Sequence, residues 1–147
     1  MEDRYESLKL SSQLCFPVYA CAKEITRAYK PMLDHYDLTY TQYITLMVLW
    51  EQGQMNVKKL GDALLLDSGT LTPVLKKLEA KGYITRTRAE HDERNLLVEI
   101  TDAGEHLREE MLAVPEQMGA CMNLPQEEID TLYRLLYKLL GNVRQNQ

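Results

Sequence analysis

Short hydroxylated side chains stand at the start of one predicted helix, and lysines follow them one to two turns later. These residues are Ser68, Thr70 and Thr72, then Lys76 and Lys77. Small side chains at a helix start let the backbone approach base edges closely, whereas lysine ammonium groups can meet phosphates. The pattern indicates a helix that binds DNA in the major groove, although an ordinary amphipathic helix has the same periodicity.

The segment after this helix predicts a charged hairpin. Gly82 is a stop signal, and residues 83–88 and 96–100 are typical of two strands around the polar tip 89–95. Arg86 and Arg88 fall on the first predicted strand and Arg94 on the tip. We expect these arginines to lie toward the DNA backbone and minor groove.

A helix-turn-helix needs a second helix directly upstream, and the sequence predicts one. Asn56 is a suitable N-cap, and Val57, Leu60 and Leu64 recur at helical spacing. Residues 65–67 leave a short turn before the next helix. The buried stripe of that next helix is expected to consist of Leu71, Val74, Leu75 and Leu78.

The chain has three cysteines, Cys15, Cys21 and Cys121, and this odd number argues against a disulfide framework. The absence of a Cys-x-x-Cys pair argues against a metal site. A lone cysteine is usually a small buried hydrophobe. Pro17, however, fits best in the first turn of a helix, which places Cys15 at the helix N-terminus. The dipole there favours thiolate, the form that attacks a peroxide. A helix beginning well before Cys15 would instead be kinked at Pro17.

The C-terminal part predicts two further helices. Thr101 opens the first, whose apolar residues continue at helical spacing to Cys121 with a kink at Pro115. Pro125 marks the start of the second, which is apolar on more than one face. Burial within the fold accounts for such a helix, but a homodimer with interlocked terminal helices accounts for it better.

The chain of 147 residues suits one domain, 1–147, and its net charge of −5 is unevenly spread. Residues 55–101 carry eight Lys and Arg against seven Asp and Glu, and the remainder carries nine against fifteen. The acidic charge therefore lies outside the predicted DNA face, and we expect a salt-sensitive affinity. With no long apolar run and no signal sequence, the expected location is cytoplasmic, without a membrane partner.

The runs DSGTLTPVLKKLEAKGYITR (67–86) and DERNLLVEIT (92–101) resemble the DNA-binding half of the MarR family of bacterial transcription regulators. The family's wing pattern, Asp-x-Arg followed by a Thr that opens a helix, falls on Asp92, Arg94 and Thr101. LTYTQYITLMVLW (38–50) is similar to the family's second helix. LCFPVYACAKEITRAYKPML (14–33) resembles a narrower branch, the peroxide-sensing OhrR-type repressors.

This resemblance implies a mainly α fold with a small β-wing. A winged helix-turn-helix would span about 38–101, with dimerisation helices over about 8–36 and 102–145. It implies a homodimer on a palindromic operator in double-stranded DNA, with no cofactor and no enzymatic activity. It also implies that Asp92 holds the wing arginine in place.

In the OhrR-type branch the cysteine that matches Cys15 is the oxidation sensor. Tyrosines matching Tyr19, Tyr29 and Tyr40 surround it, some from the partner subunit. The resemblance therefore implies a repressor that organic hydroperoxide releases from DNA. Oxidation would continue to a mixed disulfide with a small thiol, or to a disulfide with Cys121 as resolving residue. Packing in the core is the other reading of Cys121.

Two other functions stay open. A MarR-type repressor could instead be controlled by a small phenolic ligand bound noncovalently between the DNA-binding head and the dimer helices. A thiol peroxidase, an enzyme, would need an activating Arg or Thr set around Cys15, and the sequence shows no such set.

Overall fold

The computed structural model describes residues 4–90 and 92–147, without the side chains of residues 89 and 92–94. Two compact units meet in the sequence between Leu112 and Ala113. After two short 3-10 turns, the elements of the described part are α1 (Cys15–Asp34), α2 (Tyr40–Gln52), β1 (Gln54–Asn56), α3 (Val57–Leu64), α4 (Ser68–Ala80), β2 (Ile84–Ala89), β3 (Asp92–Ile100), α5 (Asp102–Glu110), α6 (Ala113–Met122) and α7 (Gln126–Gln145).

Side-chain caps fix the two helices of the helix-turn-helix. Asn56 is the predicted N-cap of α3, and its Oδ1 accepts a hydrogen bond from the Lys59 amide at 2.8 Å. Asp67 caps α4 in the same way, accepting from the Thr70 amide at 2.7 Å. Each cap satisfies an amide that would otherwise lack a partner in the first helical turn. Between the helices Leu65 adopts a left-handed conformation, with φ of 55°, and ends α3.

The core of the first unit lies where α4 meets α2, α3 and β2. The predicted inward stripe of α4 is confirmed, because all four of its residues are buried. Leu46, Leu49 and Leu60 supply fully buried side chains from α2 and α3. Each buried leucine stabilises the fold by about 1.5–3 kcal/mol relative to an exposed one. This core holds α4 with its opposite face outward.

The wing is a three-stranded antiparallel sheet in the order β1-β3-β2. Gly82, with φ of 82°, lets the chain turn out of α4 into β2, as predicted. Val98 of β3 is buried between its sheet neighbours Met55 of β1 and Arg86 of β2. The sequence did not predict β1, because three residues show no alternation and the strand forms only by pairing with distant β3.

The prediction of one kinked helix from Thr101 to Cys121 is wrong. α5 ends at Glu110, and α6 begins at Ala113 with Pro115 in its first turn. Proline has no amide hydrogen to donate to the carbonyl of Met111, and its ring would clash with that carbonyl in a continuous helix. Thr101 does cap α5, accepting from the Gly104 amide at 3.1 Å, and α7 starts directly after Pro125 as predicted.

The two longest helices, α1 and α7, bury little of their apolar surface. α1 has Leu33 as its buried residue, and α7 has none. Among the described residues, no helix is both long and apolar enough to span a lipid bilayer. The large apolar side chains that α7 leaves exposed are Leu132, Tyr133, Leu135, Leu136, Tyr137, Leu139, Leu140 and Val143.

Candidate nucleic-acid interface and redox site

The first turns of α4 present small hydroxyl groups on the surface. Ser68 is the first helical residue, and both it and Thr70 are exposed. Thr72 is partly exposed, and its hydroxyl donates to the Ser68 carbonyl at 2.7 Å. Because that hydroxyl hydrogen is already used, the Thr72 oxygen is left as an acceptor for an amino group on a base edge.

Lysines continue the outer face of α4. Lys76 and Lys77 are exposed, and within the described part of the chain neither forms an ion pair. At about 100° per residue, Lys76 lies almost opposite the buried stripe and Lys77 beside it. Two exposed lysines that sequence reasoning missed, Lys58 and Lys59, stand in the first turn of α3. The predicted N-cap Asn56 was the signal that could have placed them there.

Arg86, which the sequence predicts to lie toward DNA, is paired with Glu79 in the structure. Its guanidinium donates to Glu79 Oε1 at 3.0 Å, and its amide donates to Glu79 Oε2 at 3.1 Å. This hydrogen bonding and the positive charge hold the pKa of Glu79 below its ordinary value. Arg86 therefore anchors β2 to the last turn of α4, a tie between residues seven positions apart that helix and strand patterns do not reveal.

Of the other predicted wing residues, the structure describes the side chain of Arg88 but not those of Asp92 and Arg94. Arg88 is exposed on β2, opposite Leu96 of β3. The side chains of Asp92 and Arg94 lie outside the described residues, so their predicted roles stay predictions.

Cys15 is the first residue of α1, and its side chain is exposed. Pro17 lies in the first turn, as predicted, where its missing amide hydrogen costs no helical hydrogen bond. The preceding residue, Leu14, provides no side-chain cap. The thiol therefore stands at the positive end of the helix dipole, open to solvent. Cys21 and Cys121 are exposed as well.

Tyrosines gather at the other end of α1, where α2 begins. The ring centroids of Tyr29 and Tyr40 are 5.0 Å apart, and that of Tyr43 is 5.7 Å from Tyr29 and 6.5 Å from Tyr40. We call Tyr29, Tyr40 and Tyr43 the tyrosine cluster. Tyr43 was not among the predicted site residues. Tyr19 was, and it lies on the first half of α1, 64% exposed, so its predicted role beside Cys15 stays a prediction.

Burial raises the pKa of every hydroxyl in the tyrosine cluster. Desolvation is the main cause at Tyr29, Tyr40 and Tyr43, and the neighbouring hydroxyls add to it at Tyr29 and Tyr43. These groups therefore remain protonated hydrogen-bond donors well above neutral pH. Within one chain, however, Tyr29 lies about 20 Å along the helix axis from Cys15. The cluster does not surround the thiol of its own chain.

A cavity of about 410 Å³ opens between α1 and the start of α2. Basic side chains on one face of α1, Lys23, Arg27 and Lys30, form one wall. Lys30 pairs with Asp34 at 2.9 Å, whereas Lys23 and Arg27 make no ion pair within the described part. Apolar surface comes from Leu33 and Leu38, and polar groups come from Thr26, Thr39 and Tyr40.

A capped recognition helix with an exposed polar face, packed beside a three-stranded wing, defines a winged-helix DNA-binding regulator. The family model described as transcriptional regulator SarA/Rot matches residues 27–111. Over 145 residues, 99% of both chains, the sequence is 43% identical to the organic hydroperoxide resistance transcriptional regulator of Bacillus subtilis (strain 168).

Two solved structures of AbfR, a Staphylococcus epidermidis protein, are also similar. Reduced AbfR bound to DNA is 34% identical over 96% of this chain and 99% of that one, with a TM-score of 0.78. The disulfide form of AbfR is 32% identical over 97% of this chain and 94% of that one, with a TM-score of 0.64. The chain therefore belongs to the family described as transcriptional regulator SarA/Rot, and its full-length relative places it in the organic hydroperoxide regulator branch of the MarR family.

Proposed function

We propose that the protein is a homodimeric repressor that leaves its operator when an organic hydroperoxide oxidises Cys15. The observation that carries this proposal is the exposed Cys15 thiol at the start of α1. The hydroperoxide resistance role named for the Bacillus subtilis relative supports the choice of oxidant.

The first chemical step is a two-electron oxidation of sulfur. The Cys15 thiolate attacks the outer oxygen of the hydroperoxide, so an S–O bond forms as the O–O bond breaks. The products are a sulfenic acid and an alkoxide, which takes a proton from solvent and leaves as an alcohol. A second thiol then attacks the sulfenic sulfur, forming a disulfide and releasing water. That thiol belongs to a small molecule or to Cys121 of the partner subunit.

The tyrosine cluster supplies hydrogen-bond donors to the thiolate across the dimer. Because Tyr29 and Tyr40 stay protonated, each can donate to an anionic sulfur. Because they lie far from the thiol of their own chain, they would serve Cys15 of the partner subunit. Tyr29→Phe or Tyr40→Phe should keep operator binding and slow the response to peroxide.

A homodimer also accounts for the exposed apolar surface. Eight large apolar side chains of α7 are at least 36% exposed, and α1 adds Phe16, Val18, Tyr19 and Ile25. A free monomer rarely leaves so many large apolar side chains exposed to water. A two-fold dimer covers it with a second copy and presents two α4 helices to a palindromic site.

On DNA, each α4 would enter a major groove with its hydroxylated first turns toward the bases. Thr72 would accept from an adenine or cytosine amino group, and Lys76 and Lys77 would contact phosphates. Lys58 and Lys59 of α3 would add phosphate contacts, since the first helix of this motif crosses the backbone. Arg88 and Arg94 are the wing cations proposed for the minor groove.

Operator binding measured by fluorescence anisotropy, with and without cumene hydroperoxide, tests the proposal. We expect the wild type to lose the operator at about one equivalent of peroxide per subunit, with one oxygen or one disulfide found on Cys15 by mass spectrometry. Cys15→Ser should bind equally well and fail to release, whereas Cys21→Ser, altered one and a half turns away, should respond as the wild type does. Release by Cys15→Ser would contradict the proposed sensor.

The cavity between α1 and α2 supports a second candidate, control by a small aromatic anion. Lys23 and Arg27 supply uncompensated positive charge beside the apolar Leu33 and Leu38. A phenolic carboxylate has the matching charge and shape. Adding salicylate in place of peroxide distinguishes the two candidate functions. Release of the operator by salicylate should persist in Cys15→Ser and disappear in Arg27→Met.

A further inference from the structure

Lys81 ties the end of the recognition helix to the junction of α1 and α2. It caps α4, and its ammonium group donates to the main-chain carbonyl of Asp37 in the turn between α1 and α2. The same group donates to Gln42 Oε1 at 3.2 Å and lies 3.5 Å from the Asp37 carboxylate. The Lys81 side chain is only 25% exposed, and its contact with Gln42 is partly shielded from water.

The acceptors of Lys81 belong to the turn after α1 and to the capped first turn of α2. Gln42 is buried and completes a capping box at the start of α2, where its Oε1 also accepts from the Thr39 amide at 3.1 Å. Asp37 holds a left-handed conformation, with φ of 53°, in the turn itself. The contacts of Lys81 therefore depend on the positions of both the turn and the first residues of α2.

The tyrosine cluster straddles this same junction. Tyr29 lies on α1 before the turn, and Tyr40 and Tyr43 lie on α2 directly after it. Gln42 falls between the two α2 tyrosines in the sequence. A displacement of α1 relative to the start of α2 would change the distance between Tyr29 and Tyr40, and it would pass through the turn that holds Asp37, an acceptor of Lys81.

We propose that Lys81 is the positioning residue that couples the tyrosine cluster to the recognition helix. Its ammonium group stabilises the position of α4 against the turn and the start of α2 seen here. When oxidation disturbs the cluster, the turn shifts, the contacts of Lys81 break and α4 leaves its docking position. This inference rests on the proposed function and adds no chemical step to it.

The test compares operator dissociation constants of reduced and peroxide-treated protein. Lys81→Met keeps the aliphatic stem and removes the charged donor. We expect reduced Lys81→Met to bind about tenfold more weakly than the wild type, because a charge-assisted contact of the binding state is lost. Oxidised Lys81→Met and oxidised wild type should bind alike. The ratio of oxidised to reduced dissociation constants then shrinks about tenfold, and Lys81→Arg, which keeps a cation, should restore most of it.

Arg108→Met is the matched control. Arg108 is also a cation at a helix C-terminus, in the last turn of α5, and it pairs with exposed Glu105 at 2.9 Å. Its loss changes the net charge equally but should leave the ratio unaltered. Asp37→Asn, which removes an exposed carboxylate and keeps the main-chain carbonyl, should shrink the ratio less than Lys81→Met does. It tests the coupling even where Lys81→Met folds poorly.

Two outcomes overturn the inference in distinguishable ways. A wild-type protein that keeps its operator after Cys15 is oxidised, as judged by mass spectrometry, overturns the proposed function and the role of Lys81 with it. A wild type that releases DNA, with a Lys81→Met variant that shows the same ratio, overturns the role of Lys81 alone. If Lys81 has only a structural role, the second result is expected, because its loss then lowers the operator affinities of the reduced and the oxidised protein equally.

Discussion

The Cys15 thiol is exposed to solvent, whereas the tyrosine cluster is partly buried. Each environment suits the chemistry proposed for the group. The thiol is exposed where α1 begins, so a hydroperoxide can reach it. Tyr29 and Tyr40 are half-buried, and this burial raises the pKa of both hydroxyls. A donor that stays neutral can stabilise a thiolate without adding a second negative charge. In the proposed function, the distance between the thiol and the cluster of the same chain makes the sensor depend on a second copy of the chain.

Lys76 and Lys77 offer the most direct test of docking on DNA. Lys76→Gln or Lys77→Gln should weaken binding to operator and random DNA alike, because a phosphate contact carries no sequence information. Each change should lower the slope of log affinity against log salt by about one. Lys138→Gln, an exposed lysine on α7, should leave the slope unchanged. Equal slopes for all three variants and the wild type would place α4 away from the phosphates.

The pair of Glu79 and Arg86 makes a pH-dependent prediction about the wing anchor. The pKa of Glu79 lies below its ordinary value of 4.5 because Arg86 donates to its carboxylate. With the folded pKa lower than the unfolded one, the stabilisation is present above the unfolded value and disappears as the pH falls through the folded value. The Tm of the wild type should exceed that of Glu79→Gln at pH 7, and the two should converge as the pH falls through the folded pKa of Glu79.

Glu109→Gln controls for charge in this measurement. Glu109 lies in the last turn of α5, as Glu79 lies near the end of α4, so both changes relieve the same unfavourable interaction with the helix dipole. Glu109→Gln should not lower the Tm at pH 7. If Glu79→Gln behaves identically at every pH, Arg86 contributes nothing to holding β2.

At the scale of elements, local signals predicted what local forces determine. Asn56 as an N-cap, Gly82 as a stop and the apolar stripe of α4 are all confirmed, because capping and periodic burial act within a few residues. β1 was missed, since its three residues form a strand only by pairing with β3. The ties of Arg86 to Glu79 and of Lys81 to Asp37 also depend on how separate elements pack, which no spacing in the sequence encodes.

Gly104 shows how closely one element can approach another. A Cβ atom there would overlap the Tyr83 carbonyl oxygen and lie 2.6 Å from Ile100 Cδ1, while the Gly104 carbonyl accepts from Trp50 Nε1 at 2.9 Å. Gly104→Ala should therefore destabilise the fold by about 1–3 kcal/mol in urea unfolding. Gly119→Ala, in an open position on α6, should be neutral or stabilising by up to about 1 kcal/mol. Similar losses from both would mean that α5 can shift to admit the methyl group.

At the scale of the whole molecule, one chain presents only part of each proposed site. The tyrosine cluster lies far from the thiol of its own chain, α7 leaves its large apolar side chains exposed, and a single α4 would contact half of a palindrome. The proposed two-fold homodimer would complete all three at once. The redox response and the DNA response would therefore share one interface, and oxidation on one side of it could reposition both recognition helices.

The fate of the sulfenic acid decides between two dimeric mechanisms. Cys121 is exposed near the end of α6, which removes the interpretation of a thiol packed in the core of its own chain. We expect a Cys15–Cys121 disulfide between subunits, formed after a rearrangement that brings the two Cα atoms within about 7 Å. Non-reducing electrophoresis after peroxide treatment should show a covalent dimer in the wild type and in Cys21→Ser, but none in Cys121→Ser. A wild-type band that stays monomeric, with the mass of a small added thiol on Cys15, would establish the mixed-disulfide route instead.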